Sequence, residues 1–374
     1  MRRRFLKNGS FFDYSKYMTI EVLEDGFTVR ADRSVEYNVN GKGWNHLAAG
    51  LNTQPASKGD LLSFRCVLNI EEEFGSFKSN GKAVNLLGNV LSLIFGDSVE
   101  TDISAYSRVF FNTFNGYSFP NIINIDKKFL SATTLASQCY YSMFYGCTSL
   151  TSAPVLPATT LADDCYHDMF RHCTSLVNAP ELPATALADR CYMYMFYGCT
   201  SLVNAPELPA TTLADNCYNR MFSGCINLNY IKMLATNISA TGCLDYWVDG
   251  VSSTGTFVKS KDATWDVRGE NGIPNGWTVK TDDEESGVNL ISFTIKMNPF
   301  VPSMVNYQQQ TYQAVEGMTW VEWCASEYNI NGFTVVETEI GKRVVHNYDE
   351  RVNDGVSSIN ANDIIISDGI YYYE

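Results

Sequence analysis

Long apolar runs are missing from this sequence. No stretch approaches 18 consecutive apolar residues, which excludes a membrane-spanning helix and leaves no expectation of membrane insertion. The opening MRRRFLKNGSFFDYSKYMTIEV carries positive charge but lacks an apolar core followed by a small-residue cleavage site, so it does not have the form of a secretory signal. Positive charge is scarce as well: 27 Lys and Arg stand against 41 Asp and Glu, and the net charge of -14 argues against nucleic acid as a partner, because phosphate contact needs a basic face. No CxxC pair, GxxxxGK loop, HExxH or GxSxG elbow occurs, so no catalytic, cofactor-binding or metal site is expected. The segment DERVNDG from Asp349 matches a calcium loop only loosely, because Arg351 stands where a ligand is needed.

What the chain does have is a tandem repeat over about 130–250. CYYSMFYGCTSLTSAPVLPATTLADD from Cys139 is followed by CYHDMFRHCTSLVNAPELPATALADR from Cys165, CYMYMFYGCTSLVNAPELPATTLADN from Cys191 and CYNRMFSGCINLNYIKMLATNISATG from Cys217. The period is 26 residues, as the spacing from Cys139 to Cys165 shows. Fixed columns of Cys (139, 165, 191, 217 and 243, then 147, 173, 199 and 225), Phe144, Phe170, Phe196 and Phe222, and Leu150, Leu176, Leu202 and Leu228 leave water only if the units stack, which predicts a solenoid. Within a unit, CYYSMFYGC has the spacing of a short helix or 3₁₀ turn facing inward, and LTSAPVLP, with two prolines, that of a loop-like or edge strand. Two columns account for nine of the eleven cysteines, leaving Cys66 and Cys324; buried free thiols acting as small hydrophobes fit that pattern better than disulfides or metal.

The pattern MFxGCTSLxxAPxLPxT resembles the BspA-like (treponemal-type) leucine-rich repeat of bacterial surface proteins. The resemblance covers about a third of the chain, and it implies a right-handed solenoid used in adhesion or protein contact. It does not say which. The order of the whole chain, from MRRR through TIEVLEDGFTV and the repeats to STGTFV, GIPNGWTV and EGMTWVEWCASEYNINGF, also resembles structural proteins of tailed phages and prophages of gut Bacteroidota.

The flanks complete a mixed, β-rich fold class. Residues 1–17 read as an N-terminal arm with basic residues and the rings of Phe11, Phe12, Tyr14 and Tyr17. Residues 18–100 carry short period-two segments separated by Asp25-Gly26, Asn40-Gly41 and Asn80-Gly81, which predicts a β-sandwich domain. Residues 101–279 are the leucine-rich-repeat solenoid with caps, a degraded first repeat around Phe114-Asn115-Gly116 and a closing IPNGWTVKT included. Residues 280–289, KTDDEESGVN, read as a linker, and 290–374 as a small α+β domain of β-grasp-like order, with a helix near Thr319.

Against the invariant columns, a few positions change from repeat to repeat. Tyr141, Tyr145, His167, Asp168, Arg171, Met193, Tyr194, Tyr197, Asn219 and Arg220 come side by side if the units stack, and their types suit sugar stacking or protein anchoring. The bland alternative is drift on an exposed helical face; His167, Asp168 and His172 are then solvated surface and not a metal or catalytic cluster. Glu181 and Glu207 form a smaller acidic row on the strand side.

Two function classes follow. One is a non-enzymatic component of a phage virion, made in the host cytoplasm, with a terminal domain docked to other virion proteins and the repeats facing a host cell-surface protein or glycan. The other is a BspA-like adhesin at the bacterial cell surface. A homo-oligomer is compatible with either.

Overall fold

A computed structural model describes residues 12–66, 74–98 and 100–282; beyond them it describes the strand backbones given below together with Thr319, Trp320 and Trp323. The chain is β-rich with few helices. It divides into two compact units, Met1–Asp282 and Asp283–Glu374.

In the first unit the period-two segments form strands. These are β1 Met18–Val22, β2 Val29–Ala31, β3 Val35–Val39, β4 Trp44–Leu47, β5 Leu61–Cys66, β6 Phe77–Ser79 and β7 Val84–Leu87. Five of them join β8, Ile122–Ile125, in a six-stranded sheet of order β4-β3-β5-β1-β7-β8, while β2 and β6 pair separately. One of the three turn signals closes a hairpin: Asn40 and Gly41 take φ of 55 and 74° between the paired β3 and β4, the left-handed pair that a hairpin's twist requires. Asp25-Gly26 and Asn80-Gly81 instead join strands that pair elsewhere, β1 with β5 and β7, and β6 with β2. Strand β8 belongs to the repeat region and pairs in parallel with β7, so the sheet passes residue 100 without a break. The buried residues from Met18 to Trp277 form one hydrophobic cluster. The described end of the arm is docked: Tyr14 is buried, the Phe12 ring lies 5.4 Å from that of Tyr17, and the Tyr17 hydroxyl donates to Asp97 at 2.6 Å.

The repeats stack one above another. Ring centroids in the Phe column lie 5.7 Å apart from Phe144 to Phe170, 5.8 Å to Phe196 and 5.7 Å to Phe222, with planes within 9°. The degraded repeat joins this stack, Phe114 lying 6.1 Å from Phe144. At the far end Trp247 takes the Met column and donates its indole N–H to the Gly272 carbonyl at 2.8 Å.

The Cys-to-Cys segment is not the helix or 3₁₀ turn that its spacing predicts. It is a run of consecutive turns with a left-handed residue at every fourth position, as in Gln138, Ser142 and Gly146, then Asp164, Asp168 and His172. The backbone donors alternate. Tyr140, Ser142 and Phe144 donate to Cys165, His167 and Met169 of the next repeat, while Tyr141, Met143 and Tyr145 close turns onto Gln138, Tyr140 and Ser142. An α-helix would spend every donor internally. Here half the donors bind the coils to each other, and the left-handed residues turn the chain back so that they point that way.

The proline side behaves differently. Its coils meet through isolated parallel bridges, among them Ser152–Asn178, Asn178–Asn204, Asn204–Tyr230 and Leu208–Met233, because Pro154, Pro157 and their equivalents have no N–H to donate. Where YIKM replaces the proline sequence a true strand forms: β9 Tyr230–Met233, β10 Thr256–Lys259 and β11 Thr278–Thr281 make a parallel sheet of order β11-β10-β9.

The second unit contains β12 Leu290–Met297, β13 Gln308–Val315, β14 Phe333–Thr338, β15 Gly341–His346 and β16 Ile370–Tyr373. Strand β12 pairs antiparallel with β13 and parallel with β16, and β14 pairs with β15. At the expected helix, Trp323 N–H donates to the Thr319 carbonyl at 3.0 Å. Most of that helix, most of the linker, the Asp349 segment and Cys324 lie outside the described residues.

Candidate functional site

The ten repeat-variable residues come together on the turn side of the stack, and they are not uniformly exposed. His167, Asp168 and Asn219 are buried, at 8, 8 and 9% exposure, while Tyr141, Tyr145, Arg171, Met193, Tyr194, Tyr197 and Arg220 are half-buried. The solvated-face reading of His167 and Asp168 is therefore corrected. The His167 ring is stacked on Tyr141 at 4.4 Å and lies 5.9 Å from Tyr194, so neighbours from the coils on either side cover it.

A charge network fixes this column. Arg190 holds the Asp164 carboxylate with two hydrogen bonds of 3.0 Å, and His167 Nδ1 lies 3.0 Å from the same carboxylate. Burial alone would raise the Asp164 carboxyl, but the hydrogen bonds from Arg190 and His167 prevail and hold it below the usual carboxylate range. Arg171 donates to Asp168 at 3.1 Å and lies 4.8 and 4.6 Å from the Tyr194 and Tyr197 ring centres. His172 stands alone in a column that is otherwise Gly146, Gly198, Gly224 and Gly250. A Cβ on Gly198 would lie 2.5 Å from its Nδ1, so the imidazole occupies room that Gly198 leaves. Burial first, and the Arg171 charge second, push the His172 imidazole below its ordinary range.

The left-handed positions expose a cost. Tyr194, Arg220 and Tyr246 take φ of 57, 53 and 51°. A bulky L-residue there costs roughly 1–2 kcal/mol, while Gly, Asn or Asp would fit more easily. The exposed cation–π contacts they make, Arg220 at 6.0 Å from the Tyr194 ring centre and 4.6 Å from that of Tyr246, return roughly 0.5–1 kcal/mol each. The balance gives the fold little reason to place these side chains here.

Sequence reading missed several members of the site. Asp164 and Arg190 occupy the left-handed position just before the first Cys, where the repeats also vary, through Gln138, Asp164, Arg190 and Asn216. That variation was the available signal. Tyr117, 85% exposed with its ring 5.8 Å from Tyr145, and Tyr246 extend the strip at either end and lie outside the exact repeats.

Elsewhere on the stack the chemistry is inert. Cys147, Cys173, Cys199 and Cys225 are buried and donate their thiols to carbonyls of Phe114, Phe144, Phe170 and Phe196 at 3.0–3.2 Å. Burial pushes the Cys139 and Cys225 thiols up to about 12, which leaves them protonated and unreactive. On the proline side, Ala179, Pro180, Leu182, Pro183, Pro206 and Pro209 line a groove with Glu181 and Glu207, and Lys232 pairs with Glu207 at 3.2 Å, so the acidic row is partly neutralised. Among the described residues no group of three His, Cys, Asp or Glu is placed to hold a metal ion, and no helix is long and apolar enough to cross a membrane.

Comparison of the chain with protein-family models, with curated proteins and with solved structures gives no match.

Proposed function

We propose that this chain is a non-enzymatic binding component of a phage particle, in which a leucine-rich-repeat solenoid presents its turn side to a host cell-surface protein or glycan and a terminal domain docks to other virion proteins. The observation that carries the binding part is the strip from Tyr117 to Tyr246. Rings and arginines lie side by side across successive repeats, and three of them, Tyr194, Arg220 and Tyr246, stand at left-handed positions that the backbone would fill more easily with Gly, Asn or Asp. Such residues are the ones that dominate recognition surfaces, because they offer large rigid area and charge at little entropic cost. The resemblance of the chain order to tailed-phage structural proteins supports the particle part.

Mass spectrometry of purified particles induced from the host tests the reading. Intact chain in the particles, with adsorption to host cells lost when Tyr141, Tyr194 and Tyr197 are replaced by Ala together, is the expected result. Absence from particles with display on the bacterial surface overturns it in favour of an adhesin.

A further inference from the structure

The four arginines of the turn side are not equivalent. Arg190 and Arg171 are engaged by the carboxylates of Asp164 and Asp168, and Arg108 donates to the Gln138 amide oxygen. Arg220 has no side-chain acceptor among the described residues. Its guanidinium centre lies 4.6 Å from the Tyr246 ring centre and 6.0 Å from that of Tyr194, both at left-handed positions of neighbouring coils. The side-chain oxygen of Asn219, next in sequence, is buried and has no hydrogen-bond partner among the described residues.

Resting on the binding role above, we propose that Arg220, set between Tyr194 and Tyr246, is the subsite for the carboxylate of an acidic sugar, whose ring lies against the exposed Tyr246. A planar guanidinium with unused donors matches a carboxylate in a bidentate pair, which an ammonium does not reproduce. Tyr246, 41% exposed, supplies on the face that Arg220 leaves open the flat apolar area that a sugar ring covers, and its hydroxyl supplies a polar partner for the sugar's own hydroxyls.

Two features favour a sugar over an acidic peptide. The backbone donors here are already used: Arg220 N–H donates to the Asp245 carbonyl at 2.9 Å, Gly224 N–H to that of Asp249 at 2.7 Å, and Ser223 N–H to that of Arg220 at 3.3 Å. No edge is therefore open on this coil for strand addition. Asp245 and Asp249 of the next coil are exposed, and the chain's net charge is -14, so a densely charged polyanion is repelled more strongly than one isolated carboxylate.

Saturation-transfer NMR on the full chain tests this with the methyl glycosides of N-acetylneuraminate, glucuronate and galacturonate, their neutral counterparts and polyglutamate as probes. At least one carboxylated glycoside is expected to bind, with its neutral counterpart about tenfold weaker. Arg220→Ala and Arg220→Lys are each expected to weaken it about tenfold, with the thermal transition unchanged. Tyr246→Ala, which keeps the charge, is expected to weaken it also. No binding by any carboxylated glycoside, equal binding of the neutral ones, or Arg220-dependent binding of polyglutamate overturns the assignment. Particle composition decides the virion reading separately: a chain present in particles that ignores these sugars defeats only the sugar subsite, and a sugar-binding chain absent from particles defeats only the virion role.

Discussion

The two sides of the repeat stack share one period and hold their coils together in different ways. On the turn side alternate N–H groups reach the next coil, while on the proline side only isolated bridges remain between the exact repeats, such as Ser152–Asn178 and Asn178–Asn204. The comparison separates cohesion from periodicity. Stacking is enforced by the buried columns, and the direction of the backbone donors decides which side is also tied by hydrogen bonds. Strands β9 to β11 show the same register forming a sheet as soon as proline is absent.

Alkaline titration should expose the largest asymmetry, because the stacked thiols and the buried Tyr140, Tyr166, Tyr192 and Tyr218 all belong to the turn side. Cys139 has a folded-state pKa raised from 9.0 to about 12, so the folded state keeps a proton that the unfolded chain releases. Its contribution is fully present below pH 9 and is lost as pH rises toward 12, by at most about 1.4 kcal/mol per pH unit for each such thiol. Stability measured by urea unfolding should fall steeply above pH 9, and a flat profile would mean that the thiols are not buried as described.

Phe170→Ala removes a fully buried ring between two others and should cost about 3–5 kcal/mol in the same measurement. Gly198→Ala comes next. It puts a Cβ at φ of 70° and 2.5 Å from His172 Nδ1, which should cost about 1–3 kcal/mol. His172→Gly should relieve the steric part and leave the backbone part, which a double-mutant cycle reads as positive coupling. On the proline side, Pro206→Ala restores one donor worth about 1 kcal/mol and loosens the unfolded chain by a similar amount, so the melting temperature should hardly move. A large loss there would show that the proline side carries more of the stack's cohesion than its bridges indicate.

Much of this was legible in the residues. The Cys, Met, Phe and Leu columns identify the core because burial repeats with the period, and Asn40-Gly41 identifies a turn because few other pairs accept both φ values. The left-handed step at every fourth residue was not legible. Gln138, Asp164, Arg190 and Asn216 share one backbone conformation and no residue type, so only the glycine column hinted at it. The helix expected from the spacing of Met143, Phe144 and Cys147 failed for that reason: an inward-facing pattern is the same for a helix and for a chain of turns.

By itself the sequence determined the 26-residue register, which side chains leave water and where proline forbids a ladder, since each follows from residue type and spacing alone. Tertiary structure decided that His167 and Asp168 are buried, that Arg190 binds Asp164 of the preceding repeat, and that Arg220 meets tyrosine rings and no side-chain acceptor among the described residues. Those facts depend on which residue lies on the next coil, and only stacking makes them neighbours.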